Sequence, residues 1–326
     1  MEHISNVILV ILSFLCPRKL AIAIFRKTRF INKIIDVYAQ KESFFYVKKY
    51  KKYESQGFDK TILVYRNKGK MLDAGTINDY VNLVATGIIN KFKVIFVSKK
   101  REDGDYSSDL YNRYFKQDEY KDNMEILSYD EVMKKYKCVS FGSYLSINKR
   151  KTFAYNRYLN YKQDVLDYFK SEEDTLFNTK PILGVFMRGT DYINLKPKNH
   201  PRVPSLNEVF KIVDKELKNY AMIYLATEDK NIVDSFKKKY GNDRVLTNKT
   251  IYLNVEGDNK NKWISNVELG IKDEYYYRGL TYISSMNLLA KCDALVACVA
   301  GGSAYAKTIN NNSYKKYILI KKGFNR

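Results

Sequence analysis

The sequence predicts an α/β protein made of two halves, each a parallel sheet flanked by helices. Three observations carry that expectation. The second half alternates short apolar runs with amphipathic segments to the end of the chain, the pattern of a doubly wound sheet. The first part of the chain holds one strand–helix–strand unit of the same kind. The length, 326 residues, exceeds one typical core and suits two. Hydrophobic residues make up 45% and aromatic residues 14%, enough to fill both interiors.

Taken in order, Ile4–Cys16 is almost wholly apolar, and Pro17-Arg18-Lys19, a second apolar run Leu20–Phe25 and the basic Arg26-Lys27-Thr28-Arg29 follow it. The first run is too short to cross ~30 Å of hydrocarbon as a helix. Glu2 stands before it, where a signal peptide would carry positive charge. Apolar segments interleaved with basic clusters read as an amphipathic segment over residues 1–30 lying on an anionic membrane surface, the alternative being a helix packed in the first domain. The protein is then expected in the cytoplasm, peripheral on the inner face of the cell membrane. Residues 33–58 read as a polar helix with the basic run Lys48–Tyr53, either a solvated face or a contact with membrane or acceptor.

Thr61–Tyr65 reads as a strand, Thr76–Ile88 as a helix capped by Thr76 or Asn78, and Lys93–Ser98 as the next strand. Residues 110–137 are tyrosine-rich and partly helical, Val139–Ile147 reads as a strand and Thr152–Lys170 as a helix. A change of composition at Ser171–Asn178 suggests a linker, dividing the chain into domains over residues 31–172 and 173–326.

In the second half Ile182–Met187 has the length and bounding of a buried strand. A long loop through His200-Pro201-Arg202-Val203-Pro204 leads to Ser205, whose capping box with Glu208 opens a helix to Asn219. Met222–Ala226 is a strand, Asp229–Tyr240 a helix with Gly241 as its C-cap, and Arg244–Leu246 a short strand. After a loop to Asp273 come helix Tyr277–Ala290, strand Ala294–Cys298, the turn Gly301-Gly302, helix Ser303–Ile309 and strand Tyr317–Ile320.

The formal net charge of +21, from 57 Lys plus Arg against 36 Asp plus Glu, favours anionic partners. Neither an RNP-type aromatic motif nor a zinc-finger spacing accompanies the charge, so nucleic acid is not the expected partner. Cys16, Cys138, Cys292 and Cys298 are scattered, and the chain has two histidines, His3 and His200. Such a set predicts reduced, mostly buried thiols and no metal centre.

The chemistry gathers at three strand ends: Arg188/Thr190/Asp191, Thr227/Glu228/Asp229 and Gly301/Gly302/Ser303. The carboxyl ends of parallel strands are where such sheets bind ligands. Gly189 lets the backbone approach a ligand closely, and Arg188 offers a planar fork of donors that suits phosphate. Gly301-Gly302-Ser303 opens a helix whose N–H groups and dipole can hold phosphate oxygens. Each feature has a plainer reading: an Arg188–Asp191 ion pair, a helix cap at Asp229, a mere connection at the glycines. Together they point to a nucleotide diphosphate.

Phe186-Met187-Arg188-Gly189-Thr190-Asp191 resembles the His-x-Arg-x-x-Asp signature of the fucosyltransferase superfamily, which includes the α1,6-, α1,2-, rhizobial nodulation and protein O-fucosyltransferases. Tyr224–Asp229 is similar to that group's Leu-Ala-Thr-Asp-Asp strand end. Arg278-Gly279, Met286–Cys292, Asp293–Val296 and Gly302-Ser303 resemble its closing segment. Gly75-x-x-Asn78-Asp79 is similar to its Gly-rich strand-to-helix segment, so the resemblance covers about residues 61–97 and 181–320.

The resemblance implies two Rossmann-like domains facing a cleft (a GT-B-like fold) and an inverting glycosyltransferase that needs no metal and no cofactor beyond its donor. Residues 31–172 would form the acceptor side and residues 173–326 the nucleotide-sugar side. Arg188 would bind the donor's β-phosphate and steady the leaving diphosphate, with Asp191 holding Arg188 or touching the donor. Gly189, Thr190, Thr227, Asp229, Gly302 and Ser303 would line the nucleotide sugar, and Gly75, Asn78 and Asp79 would face it from the first domain. Asp79 and Asp229 are the candidates for the catalytic base. The donor implied is a nucleotide sugar, GDP-fucose first, and the acceptor a bacterial surface glycan or a lipid-linked glycan. Phe186 stands where the signature has histidine, Gly189 where several subgroups carry a second arginine, and Ser285 near an acidic residue that recognises guanine. These departures keep open a transferase using another nucleotide sugar, and a catalytically inactive membrane-peripheral binding protein.

Overall fold

Short apolar runs separated by amphipathic ones leave the chain little choice but to pair the former and cover them with the latter. The computed structural model describes residues 48–67, 71–143, 145, 147–253, 262–263, 266–311 and 313–326, apart from the side chains of Thr190 and Asp191. The expected membrane-surface segment over residues 1–30 lies outside the described residues; of the expected helix over 33–58, residues 48–54 are described as helical.

In the first half β1 (Lys60–Tyr65), α1 (Ala74–Ile89) and β2 (Phe92–Val97) form the expected unit. A strand not foreseen, β3 (Glu125–Ser128), adds to it, giving a parallel sheet of order β2-β1-β3. Then come α2 (Tyr129–Lys135), α3 (Lys149–Tyr158) and α4 (Gln163–Leu176). The cap of α1 is neither Thr76 nor Asn78 but Asp73, whose carboxylate accepts the Thr76 N–H at 2.7 Å.

The described residues of Val139–Ile147 form no strand. Their backbone pairs with a row of side chains on α1: the Val139 N–H donates to Thr86 Oγ1 at 3.0 Å, the Phe141 N–H to Asn82 Oδ1 at 3.1 Å, and Asn78 Nδ2 to the Gly142 carbonyl at 3.5 Å. Positions 78, 82 and 86 recur every fourth residue, one stripe of the helix, and that stripe replaces a neighbouring strand. The expected helix Thr152–Lys170 is two, α3 and α4. Between them the Lys116 N–H donates to the Asn160 carbonyl at 2.7 Å and the Lys162 N–H to the Tyr114 carbonyl at 2.8 Å. Ser171–Leu176, expected within a linker, continues α4.

The second half contains β4 (Ile182–Phe186), α5 (Thr190–Leu195), α6 (Leu206–Glu216), β5 (Met222–Ala226), α7 (Lys230–Tyr240) and β6 (Val245–Leu246). It closes with α8 (Glu274–Lys291), β7 (Ala294–Cys298), α9 (Gly301–Ile309) and β8 (Lys316–Ile320). The Ser205–Glu208 capping box, the Asp229 cap and the Gly241 C-cap all form. Two differences bear on function: α5 occupies part of the expected long loop, and Gly301 and Gly302 are the first turn of α9 rather than a turn before it.

All five strands are parallel, in the order β6-β5-β4-β7-β8. The chain steps outward from β4 to β6, then returns to the other side of β4. The switch point therefore lies between the carboxyl ends of β4 and β7, where open sheets leave a crevice.

The two sheets share one interior. Helices α8 and α9 pack against α4, α3 and α1 of the first half, and one buried cluster runs from Val64 and Tyr80 through Tyr114 to Ile283, Tyr305 and Phe186. The Tyr114 hydroxyl donates to the Tyr276 carbonyl at 2.7 Å, and any Cβ on Gly279 would collide with that hydroxyl, so glycine is what lets the halves meet there. Nearby, Arg113 stacks on the Tyr276 ring at 3.6 Å and pairs with Asp273 at 2.8 Å.

This tyrosine-rich interior sets an alkaline limit. Burial pushes the Tyr161 and Tyr224 hydroxyls well above their ordinary range, and Tyr305 and the Cys298 thiol to about 12. In the unfolded chain these groups titrate near 10 and 9. Their contribution is complete below that range and is lost above it, where the unfolded chain releases protons that the native state still holds. Lys151 opposes them: burial lowers its pKa from 10.5 to about 8, so its contribution grows with pH between those values. Burial lowers Lys307 in the same sense, but with many phenols and thiols against these two amines the melting temperature is expected to fall from about pH 9 to 11. Thermal unfolding at constant ionic strength checks this; a level or rising profile would contradict it.

Candidate functional site

The ends of β4 and β7 are tied together by an Arg188 N–H that donates to Cys298 Sγ at 3.3 Å. From there the Arg188 side chain reaches Glu228 at the end of β5, Nη1 to Oε1 at 3.4 Å, and the same oxygen accepts the Gly189 N–H at 3.0 Å. Both side chains are about four-fifths buried, 19% and 21% exposed, so the pair is only partly screened by water. The guanidinium also lies over the Tyr192 ring at 4.9 Å, one turn further along α5. Arg188 is thus held from two sides at the switch point.

Two glycines make this geometry possible. A Cβ on Gly189 would stand 2.5 Å from Asp229 Cβ and 2.6 Å from its Oδ2, so only glycine lets the β4 end pass the β5 end. A Cβ on Gly302 would meet Met286 Sδ at 2.7 Å and the Phe186 ring at 2.8 Å. Phe186, at the position of the signature histidine, therefore fills the space beneath the first turn of α9.

Asp229 and Ser303 lie below the surface as scaffold. Asp229 Oδ1 accepts the Asn231 and Ile232 N–H groups at 2.9 and 3.3 Å, capping α7, while Thr227 Oγ1 accepts the Asp229 N–H at 3.2 Å. The buried Ser303 hydroxyl accepts the Ala300 N–H at 3.1 Å and lies 2.8 Å from the Cys298 carbonyl. It thereby locks the turn that aims the α9 N-terminus into the crevice, where the helix dipole adds partial positive charge.

Beside Arg188 is a pocket between the halves. Phe186, Met286, Ile251 and Leu253 supply apolar walls, and Arg188, Glu228, Arg278 and Ser285 supply polar points. Ser285 Oγ donates to Asn248 Oδ1 at 2.8 Å, and Asn248 Nδ2 to the Thr281 carbonyl at 3.1 Å. Arg278 Nη1 donates to the Val267 carbonyl at 2.8 Å, 3.7 Å from Glu274 Oε1; burial lowers its pKa. On the first-half side stand Met71 and, from α8, Tyr282, whose hydroxyl faces the Ala74 N–H at the start of α1. Burial, and after it the Asp73 charge, push that hydroxyl's pKa up.

The structure brings Arg188, Gly189, Thr227 and Gly302 together at the strand ends, with Thr190 and Asp191 opening α5 directly after them. The first-half candidates lie along α1. Gly75 is in its first turn, Asp79 pairs with Arg66 Nε at 2.7 Å, and Asn78 is buried, accepting the Tyr155 hydroxyl at 3.3 Å. Tyr192, Tyr282 and Asn248 were not among the candidates, and Glu228 was named at its strand end without a role. Glu228 had a signal, as the middle of Thr227-Glu228-Asp229, and Tyr192 would have stood out had residues 190–195 been read as a helix, four positions from Arg188. Asn248 and Tyr282 had none.

No known family model matches the chain, and no curated protein matches its sequence. Among solved structures it is similar to NodZ α-1,6-fucosyltransferase soaked with GDP-fucose, at 11% identity and a TM-score of 0.46, over 76% of this chain and 92% of that one. It is also similar to fucosyltransferase NodZ from Bradyrhizobium, at 10% identity and 0.46, over 76% and 93%. POFUT1 in complex with GDP matches at 10% identity and 0.46, over 79% of this chain and 98% of that one.

Proposed function

We propose that the protein is a glycosyltransferase taking its sugar from a nucleotide diphosphate sugar. The observation that carries this reading is the meeting of Arg188, at the end of β4, with the N-terminus of α9, at the end of β7, across the switch point of a parallel sheet. A diphosphate there would meet a guanidinium, the first N–H groups of a helix and its dipole. The adjoining pocket, apolar-walled with a few converging polar groups, suits a nucleoside.

As the bond from the β-phosphate to the anomeric carbon breaks, negative charge grows on the leaving diphosphate, and in this reading Arg188 stabilises it. The acceptor hydroxyl attacks the anomeric carbon from the opposite face and gives its proton to a base. Asp79, paired with Arg66, and Asp229, whose Oδ1 caps α7, are the two candidates for that base. Arg188 and the helix dipole supply the positive charge that other transferases take from a metal ion.

The Arg188 motif favours GDP-fucose as donor. The acceptor in this reading is a bacterial surface glycan, lipid-linked at the inner leaflet, consistent with the net charge of +21. The Ser285–Asn248 pair lacks the carboxylate that suits guanine and favours a second reading with another base. A thermal-shift panel of GDP, UDP, CDP and their sugars tests both, since a ligand that binds only the native state raises its melting temperature. Stabilisation by GDP and GDP-fucose is the expected result. Stabilisation by UDP compounds alone would move the assignment to the second reading, and none at all would remove the transferase.

A further inference from the structure

We propose that the donor's hexosyl group lies on the far side of Arg188 from the pocket, against a corner of rings formed by Tyr192, His200 and Trp263. The inference rests on the sugar-nucleotide reading of the site and extends it to the sugar itself.

The three rings touch one another. Tyr192 Oη is 3.1 Å from His200 Nδ1, and the ring centroids lie 5.5 Å (Tyr192–His200), 6.1 Å (Tyr192–Trp263) and 5.4 Å (His200–Trp263) apart. Their planes are inclined at 74°, 78° and 50°, so they make a corner rather than a stack. Each is half-buried, with part of its surface still open. Such rings combine a broad apolar body with a polar tip. A pyranose asks for that combination, since its C–H groups present an apolar face and its hydroxyls need hydrogen-bonding partners at the rim.

Position supports the assignment. Arg188 lies over the Tyr192 ring at 4.9 Å and also lines the pocket that Ser285 lines. A β-phosphate on Arg188 leaves its sugar one bond away, and the nucleoside extends the other way. Base, diphosphate and sugar would then run from Ser285 past Arg188 to Trp263.

The corner is also built to hold its shape. After α5 the chain turns through Lys196 and Asn199, both in the left-handed region at φ 43° and 63°. Non-glycine residues there cost free energy and persist only where their surroundings enforce them. The enforcing element is the segment 323–325. The Asn199 N–H donates to the Asn325 carbonyl at 3.0 Å, the Asn325 N–H to the His200 carbonyl at 2.9 Å, and the Arg202 N–H to the Gly323 carbonyl at 2.9 Å. Pro201 and Phe324 form the antiparallel bridge between them. A remote part of the chain thus straps down the loop that carries His200.

Trp263 is the chain's single tryptophan, so its emission reports on this corner alone. The experiment titrates wild-type protein and the Trp263→Leu and Tyr192→Leu variants with GDP, GDP-fucose, UDP and UDP-glucose, following affinity by calorimetry and wild-type Trp263 emission. The expected result is that the sugar nucleotide shifts or quenches that emission while its parent diphosphate does not. Trp263→Leu should bind the sugar nucleotide about tenfold more weakly and the diphosphate as wild type does; Tyr192→Leu, which also removes the ring beneath Arg188, should weaken both and the sugar nucleotide more. Retained diphosphate binding also shows that a variant has folded, and the emission measurement needs no variant. An unchanged ratio of sugar-nucleotide to diphosphate affinity, or an emission indifferent to the sugar, would overturn this inference alone. Wild-type protein that binds none of the four ligands would instead sink the sugar-nucleotide reading, and the hexosyl assignment with it.

Discussion

Arg188→Ala is expected to lower turnover of the donor at least ~100-fold, the scale for removing one well-placed donor to developing charge. The loss should fall mainly on kcat, because the diphosphate's charge grows only as the glycosidic bond breaks. Arg188→Lys keeps the charge but loses the planar fork, and belongs between the two. One side effect must be separated from catalysis. Without Arg188, the mostly buried Glu228 carboxylate loses its cationic neighbour at 3.4 Å and keeps the Gly189 N–H, which destabilises the fold. The double variant Arg188→Ala/Glu228→Gln should therefore recover melting temperature without recovering turnover. Release of diphosphate from the donor, followed beside thermal unfolding, reads both. Near-wild-type turnover in Arg188→Ala would take this residue out of the mechanism.

Gly189→Ala should damage both stability and diphosphate binding, although it adds a single carbon. That carbon would stand 2.5 Å from Asp229 Cβ and 2.6 Å from Asp229 Oδ2. Neither side can yield easily: β4 and β5 are paired in register from Ile182 to Phe186, and Asp229 is fixed by its two bonds into α7. Overpacking of this kind costs about 1–3 kcal/mol. Here it also pushes apart the strand ends that aim Arg188. Adding Asp229→Gly clears the space at a cost of only a few tenths of a kcal/mol at an N-cap, so the double variant should recover most of the melting temperature and the affinity. A Gly189→Ala protein as stable and as competent as wild type would show that the two strand ends do not constrain each other.

The elements that read most clearly in the sequence were those whose partners do not matter to their pattern. Strands β4, β5 and β7 are buried on both faces, so each appears as an unbroken apolar run with abrupt ends. The caps at Ser205, Asp229 and Gly241 are local chemistry and were equally visible. What escaped depends on remote partners. Val139–Ile147 has the composition of a strand, and only the Asn82 and Thr86 side chains of α1 decide that its backbone pairs with a helix instead. β3 is four half-buried residues whose place is set by β1. The site divides in the same way. Arg188 and the glycines announce themselves by turn chemistry at a strand end. Asn248, Tyr282 and the His200–Trp263 corner come from separate segments that only the topology gathers.

The shared interior of the two sheets bears on how a ligand would be received. Tyr114 on one half is bonded to the α8 backbone of the other, and the buried aromatic cluster is continuous between them. Two lobes joined only by a hinge must give up relative freedom each time a ligand draws them together. Here the relative placement of Arg188 and the α1 N-terminus is fixed when the chain folds, so a ligand entering between them would meet a mould already set.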